Sequence, residues 1–142
     1  MRKLSLIAIV IMAAVSCNRT NPFLTEWNTP YGIPDFEAVQ EKHYVPAVEA
    51  GIRQQQSEID AIIADQDAPT FENVVEAYEC SGAILDRVVG VLFNLSETDG
   101  TDSLQKIVEQ VLPMLSAHSD NIFMNPYFFK EVEVLYNDME NL

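Results

Sequence analysis

Two histidines, two cysteines and 22 carboxylates are the side chains of this 142-residue sequence with the most chemical reach. A catalytic zinc site commonly takes three protein ligands, and a frequent arrangement sets two histidines at i and i+4 around a general-base glutamate, H-E-x-x-H. His43 and His118 stand in different parts of the chain and neither belongs to such a motif. They are therefore expected to serve structure, His43 at a helix start and His118 on an apolar helix face. Asp65-Gln66-Asp67 and Glu97-Thr98-Asp99-Gly100-Thr101-Asp102 have the composition of calcium loops. They lack the twelve-residue spacing with a terminal bidentate glutamate, so turn and capping roles are expected. Cys80 has Glu76 and Glu79 as sequence neighbours, the wrong setting for a reactive thiolate, and is expected as a small half-buried residue. No residue is assigned as catalytic or as a metal ligand.

The other cysteine has a different context. Arg2 and Lys3 precede a twelve-residue stretch, Leu4 to Val15, almost free of polar groups, and Ala14-Val15-Ser16-Cys17 follows with small residues. As a helix, twelve residues rise about 18 Å, too little for a hydrocarbon core of about 30 Å, so the segment reads as an export signal. Small residues followed at once by cysteine resemble a bacterial lipobox, with Ala14 where leucine is usual. Cys17 is thus the expected lipidation site and mature N-terminus. Two or more acyl chains, at about 0.8 kcal/mol per buried methylene, would hold the protein on a bacterial membrane, on its periplasmic or surface side. The alternative is an ordinary secretory signal with an incidental thiol.

The formal charge is -14. Without the first sixteen residues it becomes -16, because 22 acids then face six bases. No basic stripe is present to displace counterions from phosphates, which excludes nucleic acid as a partner. With 48% hydrophobic and 21% charged residues, the chain has the composition of one folded domain.

The elements that would position these residues all have a helical period. After residues 1–16, residues 17–34 read as a tether rich in Asn, Thr and Pro, its second half lying against the domain. Residues 35–142 form a helical domain, opened by a short turn over Asp35 to Glu41 with Phe36 and Val39 inward. A long helix is expected from Tyr44 to about Ala64, on the recurrence of Val45, Val48, Ile52, Gln55, Ile59 and Ile62. Thr70 reads as the N-cap of a helix ending at Gly82, with Asn73 in place of the Glu or Gln of a full capping box. Further stripes run from Ile84 to Leu95 and from Leu104 to Phe123, the latter through Pro113, where a kink is expected. Asn125-Pro126 then starts a last helix carrying Phe128, Val132, Leu135 and Met139. The aromatic run Phe123, Tyr127, Phe128, Phe129 and Tyr136 suits a core, or a surface that something else covers. No alternating strand pattern appears. The fold class is all-α, with sequential, mostly antiparallel helices.

Several stretches in order resemble the N-terminal part of one family. They are Asn21-Pro22-Phe23-Leu24, Tyr31-Gly32-Ile33-Pro34-Asp35-Phe36, His43-Tyr44-Val45-Pro46-Ala47, Ala68-Pro69-Thr70-Phe71-Glu72-Asn73, Asn94-Leu95 and Leu115-Ser116-Ala117-His118-Ser119-Asp120. The family is that of oligopeptidase A, thimet oligopeptidase and the peptidyl-dipeptidases, which are zinc metallopeptidases, and the bacterial peptidyl-dipeptidase branch is most similar. The resemblance implies part of an N-terminal helical lobe, one wall of a channel that admits short peptides to zinc on an opposite catalytic lobe. In that family the metal is held by H-E-x-x-H and a downstream glutamate, none of which has a counterpart before Leu142. The expectation is a fragment, inactive and without zinc, whose partner is the missing catalytic lobe. The competing expectation is a complete small helical lipoprotein that binds a partner without catalysis, and a third is a spacer without a ligand.

Overall fold

A computed structural model describes residues 21–138, and every regular element among them is helical. Four long helices carry the fold: α1 (Tyr44–Ala64), α3 (Ala83–Thr98), α4 (Asp102–Phe123) and α5 (Pro126–Asn137). Between α1 and α3 lies a π-type turn, Phe71–Glu76, continued by the single-turn helix α2 (Ala77–Glu79). Single 3-10 turns occupy Pro22–Leu24, Pro30–Gly32 and Glu41–His43.

The central element is α1, which packs on α3, α4 and α5. Its direction relative to α3 follows from three pairings: Glu58 meets Gly82, Gln55 meets Ser81, and Gly51 meets Leu85. Gly82, the N-cap of α3, and Ser81 before it lie beside Glu58 and Gln55, while Leu85 further into α3 lies beside Gly51, earlier in α1, so the two helices are antiparallel. At Gly51 the backbones approach so closely that an added Cβ would stand 2.9 Å from Leu85 N and Cα. Helix α4 then returns beside α1. Val111 joins Tyr44, Ala47 and Val48 in one apolar cluster with Leu85, Val88 and Leu92, while Ile122 joins Ile59 and Ile62 in a second with Val74, Phe128 and Leu135.

Local signals explain the helix ends. Thr101 Oγ1 accepts from Leu104 N at 3.2 Å, and Asn125 Oδ1 accepts from Tyr127 N at 2.9 Å with Pro126 in the first turn. Each cap satisfies a donor that the helix itself cannot. Asn73 proves to be a full partner in the Thr70 capping box. Thr70 N donates to Asn73 Oδ1 at 2.7 Å and Asn73 N to Thr70 Oγ1 at 3.2 Å. The Asn73 Nδ2 also donates to the Ala68 carbonyl at 3.1 Å. Helix α4 continues through Pro113 without a break.

Three sequence expectations are corrected. In the described part of the segment before Pro34, packing runs from Asn21 to Trp27 and does not extend through Tyr31 and Ile33. Phe23 is fully buried against Tyr44 and Trp27, whereas Tyr31 is fully exposed and Ile33 half exposed. Asn21 causes this by accepting from Phe23 N and donating to the His43 carbonyl at 2.7 Å, which pins the chain at the start of α1. Arg87 adds to it, lying 4.8 Å over the Trp27 ring and donating to the Thr25 carbonyl. Phe36 does not face inward but is 53% exposed, because Asp35 closes only one turn and Val39 alone reaches the core. Cys80 is exposed, not half buried, at the C-terminal end of the single turn Ala77–Glu79.

Candidate functional site

The two histidines occupy separate environments. His43 closes the turn before α1: its Nδ1 accepts from Gln40 N at 3.0 Å. Burial, and then the nearby Lys42 charge, lower its pKa. His118 is buried on α4, and its Nε2 lies 2.9 Å from Gln55 Oε1 on α1. Gln55 Nε2 donates onward to Ser81 Oγ at 3.1 Å, and Ser81 Oγ donates to the Tyr78 carbonyl at 2.7 Å. Proton bookkeeping along this chain is unambiguous. Ser81 spends its proton on the carbonyl, so it must accept from Gln55 Nε2; that leaves Gln55 Oε1 as acceptor and makes His118 Nε2 the donor. Burial lowers the His118 pKa, which favours the neutral ring, here as the Nε2–H tautomer.

This polar layer lies between the two apolar clusters, Gln55 falling between Val48 and Ile59 on α1 and His118 between Val111 and Ile122 on α4. Gly82 belongs to it as well. Its N–H donates to Glu58 Oε2 at 2.7 Å, its φ is +76°, and an added Cβ would come within 2.5 Å of Gln55 Nε2. Chemically the layer is a bolt and has no nucleophile–base pair. Gln55 stands between the serine and the histidine, so His118 cannot draw a proton from Ser81. The sequence did carry a signal for it, since Gln55 and His118 each interrupt an otherwise apolar stripe at mid-helix.

The acidic loops act as turn chemistry. Asp65 Oδ1 accepts from Asp67 N at 3.0 Å and its Oδ2 from Asn73 Nδ2 at 3.3 Å. Among the described residues no three His, Cys, Asp or Glu side chains are grouped to hold a metal ion. Cys17 lies outside the described residues.

An apolar concave surface lies elsewhere. The segment Phe71–Glu79 runs beside α5, and the seam between them opens into two hollows. One, of about 260 Å³, is lined by Val74, Val75, Tyr78, Phe123, Phe128, Phe129 and Val132. The other, of about 520 Å³, is lined by Pro69, Thr70, Phe71, Glu72, Val134, Leu135 and Asp138. Phe128 and Leu135 are the buried anchors of α5, whereas Phe123, Phe129, Tyr127 and Tyr136 are each at least 60% exposed. Tyr78 stacks against Phe123 and Phe128 with centroids 5.8 and 5.5 Å away. Its phenol pKa is raised by burial and then by Glu79 and Asp86, so the hydroxyl stays neutral. The first hollow thus offers an apolar, aromatic surface and no catalytic group.

No protein-family profile matches this chain. Individual proteins do. Over 123 residues it is 37% identical to dipeptidyl carboxypeptidase of Salmonella typhimurium, an alignment that covers 87% of this chain and 18% of that protein. The Escherichia coli K12 dipeptidyl carboxypeptidase is 34% identical over 122 residues, or 86% of this chain and 18% of that protein. The chain is homologous to the N-terminal part of these peptidases. Oligopeptidase A of Salmonella typhimurium is 27% identical over 100 residues, covering 70% of this chain and 14% of its own length. The chain therefore spans under one fifth of the relatives it matches, and what it shares with them is the helical portion described above.

Proposed function

We propose that this chain supplies helices of the N-terminal lobe of an exported, zinc-dependent peptidase of the peptidyl-dipeptidase type, which hydrolyses short peptides. The observation that carries the reading is the 37% identity to dipeptidyl carboxypeptidase across 87% of the chain. The role of these residues is architectural: α1, α3 and α4 form a bolted unit, and α5 presents apolar side chains outward. Zinc does not fit the donor set in this portion. Both histidines already hold hydrogen bonds to Gln40 and Gln55, and among the described residues no third donor is grouped with either. The metal and the water it would activate belong to residues outside this chain, so no chemical step is assigned to it. The signal-like segment and Cys17 support anchoring by lipid in a bacterial cell envelope.

The test begins with the coding frame beyond Leu142, where H-E-x-x-H is expected, and continues with the complete gene product. Release of dipeptides from short peptides should require zinc and stop with a chelator. The 142-residue chain alone should bind no stoichiometric zinc and release nothing. Dipeptide release by that chain alone would overturn the assignment, as would a complete gene product without peptidase activity.

A further inference from the structure

We infer that, with Cys17 anchored, this domain stands end-on at the bilayer: the lipid surface meets the end formed by the turn Pro22–Leu24 and the start of α1, while α5 points away. The inference rests on the lipid anchoring proposed above and names the face of the domain that meets the membrane. Its basis is the way Asn21 is held. Asn21 Nδ2 donates to the His43 carbonyl at 2.7 Å, its Oδ1 accepts from Phe23 N at 3.1 Å, and Phe23 is fully buried in the cluster around Tyr44. Position 21 is thereby fixed at the start of α1, and only Asn18, Arg19 and Thr20 separate it from Cys17. Four Cα–Cα steps span at most about 14 Å even when fully extended. The other end of the domain is farther off than that. On α4, His118 meets Gln55 and Ile122 packs with Ile59 and Ile62, so Phe123 and the start of α5 lie beside the C-terminal third of α1. At 1.5 Å per residue, the level of Ile59 is about 24 Å from that of His43.

Charge decides between standing and lying. From Cys17 through Thr25 the one charged side chain is Arg19, and at the point where the tether leaves the domain Asn21, Pro22 and Leu24 are neutral, with Leu24 39% exposed. All 22 carboxylates come later in the chain, against the five bases other than Arg19. Lying flat would bring a flank of that acidic surface within the screening length of about 8 Å of anionic headgroups. Standing on the neutral end keeps most of it outside that distance, and the cation at Arg19 falls where anionic lipid attracts it.

The chain carries its own reporter. Trp27 is the single tryptophan, and its Nε1 donates to the Pro22 carbonyl at 3.1 Å, beside the tether exit. The full chain is produced in a bacterial host, its acylation is read by mass spectrometry, and the acylated protein is placed on vesicles of phosphatidylethanolamine and phosphatidylglycerol that contain a dansyl headgroup lipid. Energy transfer from Trp27 to dansyl is compared with transfer from the far end, using Phe123→Trp and Tyr127→Trp, each combined with Trp27→Phe. Both far sites are at least 60% exposed, so the substitutions disturb no buried contact, and circular dichroism checks each fold. Transfer from Trp27 should exceed transfer from either far site at least about twofold, as the separation along α1 requires. A flexible Gly-Ser insert of about twelve residues after Thr20 should shrink that advantage by freeing the domain to tumble. Equal transfer from the two ends, or stronger transfer from positions 123 and 127, would overturn the inference, as would an insert without effect. A chain that is exported but not acylated would remove the anchoring reading and this inference together, whereas an acylated chain with equal transfer would sink the inference alone.

Discussion

Alanine placed at two helical glycines, Gly51 and Gly90, should move stability in opposite directions. In an exposed helix interior Gly→Ala stabilises by about 1 kcal/mol, since alanine loses less backbone freedom on folding. Gly90 lies on the solvent side of α3 with no atom within 4 Å of an added Cβ, so Gly90→Ala should deliver most of that gain. At Gly51 the same Cβ would stand 2.9 Å from Leu85 N and Cα. Those are backbone atoms and cannot swing aside; α1 and α3 must separate. Overpacking of this kind costs about 1–3 kcal/mol, against the propensity gain of about 1 kcal/mol, leaving Gly51→Ala between neutral and about 2 kcal/mol less stable. The two variants should therefore differ by about 1–3 kcal/mol, or roughly 3–15 °C in melting temperature for a domain of this size. Thermal unfolding followed by circular dichroism at 222 nm reads the difference directly. If Gly51→Ala melts at or above Gly90→Ala, the close α1–α3 contact inferred here is wrong.

Three shorter predictions follow from the same geometry. The His118 pKa is lowered in the fold by burial, so the unfolded chain binds more protons below its usual value of about 6.5 and stability rises with pH there. Stability should be full above about pH 6.5 and decline as pH falls toward the lowered folded value; urea titrations of the parent and His118→Gln should give a difference curve with that slope, and a flat curve would refute it. Asn73→Ala removes the reciprocal cap on Thr70 and should cost about 0.5–2 kcal/mol in chemical denaturation, while Asn73→Gln should retain part of it. Cys17→Ala should abolish incorporation of labelled palmitate and release the protein from the membrane fraction of a bacterial host, and retention of both would exclude lipidation at that position.

Periodicity made the long helices legible, because each has a buried apolar stripe, and α4 and α5 add a side-chain cap at their starts. Tyr44 to Ala64 and the Asn125-Pro126 start are given by the residues themselves. What was not legible depended on contacts distant in sequence. Phe23 looks no different from Phe36 as a lone aromatic among turns; one is buried and the other exposed because Asn21 finds the His43 carbonyl, 22 residues on. The π-type turn at Phe71–Glu76 was equally hidden, since one extra residue per turn barely disturbs an apolar pattern over so short a span. The hollows beside α5 could be anticipated only in part. The aromatic run beyond Phe123 was visible, but which members are anchors and which are floor follows from the burial of Phe128 alone among its neighbours.

The stretches that carry the family resemblance share one physical character, which limits what the homology implies. Asn21 caps a turn and holds a distant carbonyl; His43 closes the turn before α1; Thr70 and Asn73 cap each other; His118 bolts α4 to α1 through Gln55. Each satisfies a backbone group or a buried polar atom that would otherwise cost about 1–3 kcal/mol. Such residues are constrained by the fold wherever it occurs, whatever reaction the rest of the protein performs. Similarity concentrated on them argues for the same helical scaffold as the dipeptidyl carboxypeptidases, and any claim about peptide hydrolysis has to be tested on residues outside this chain.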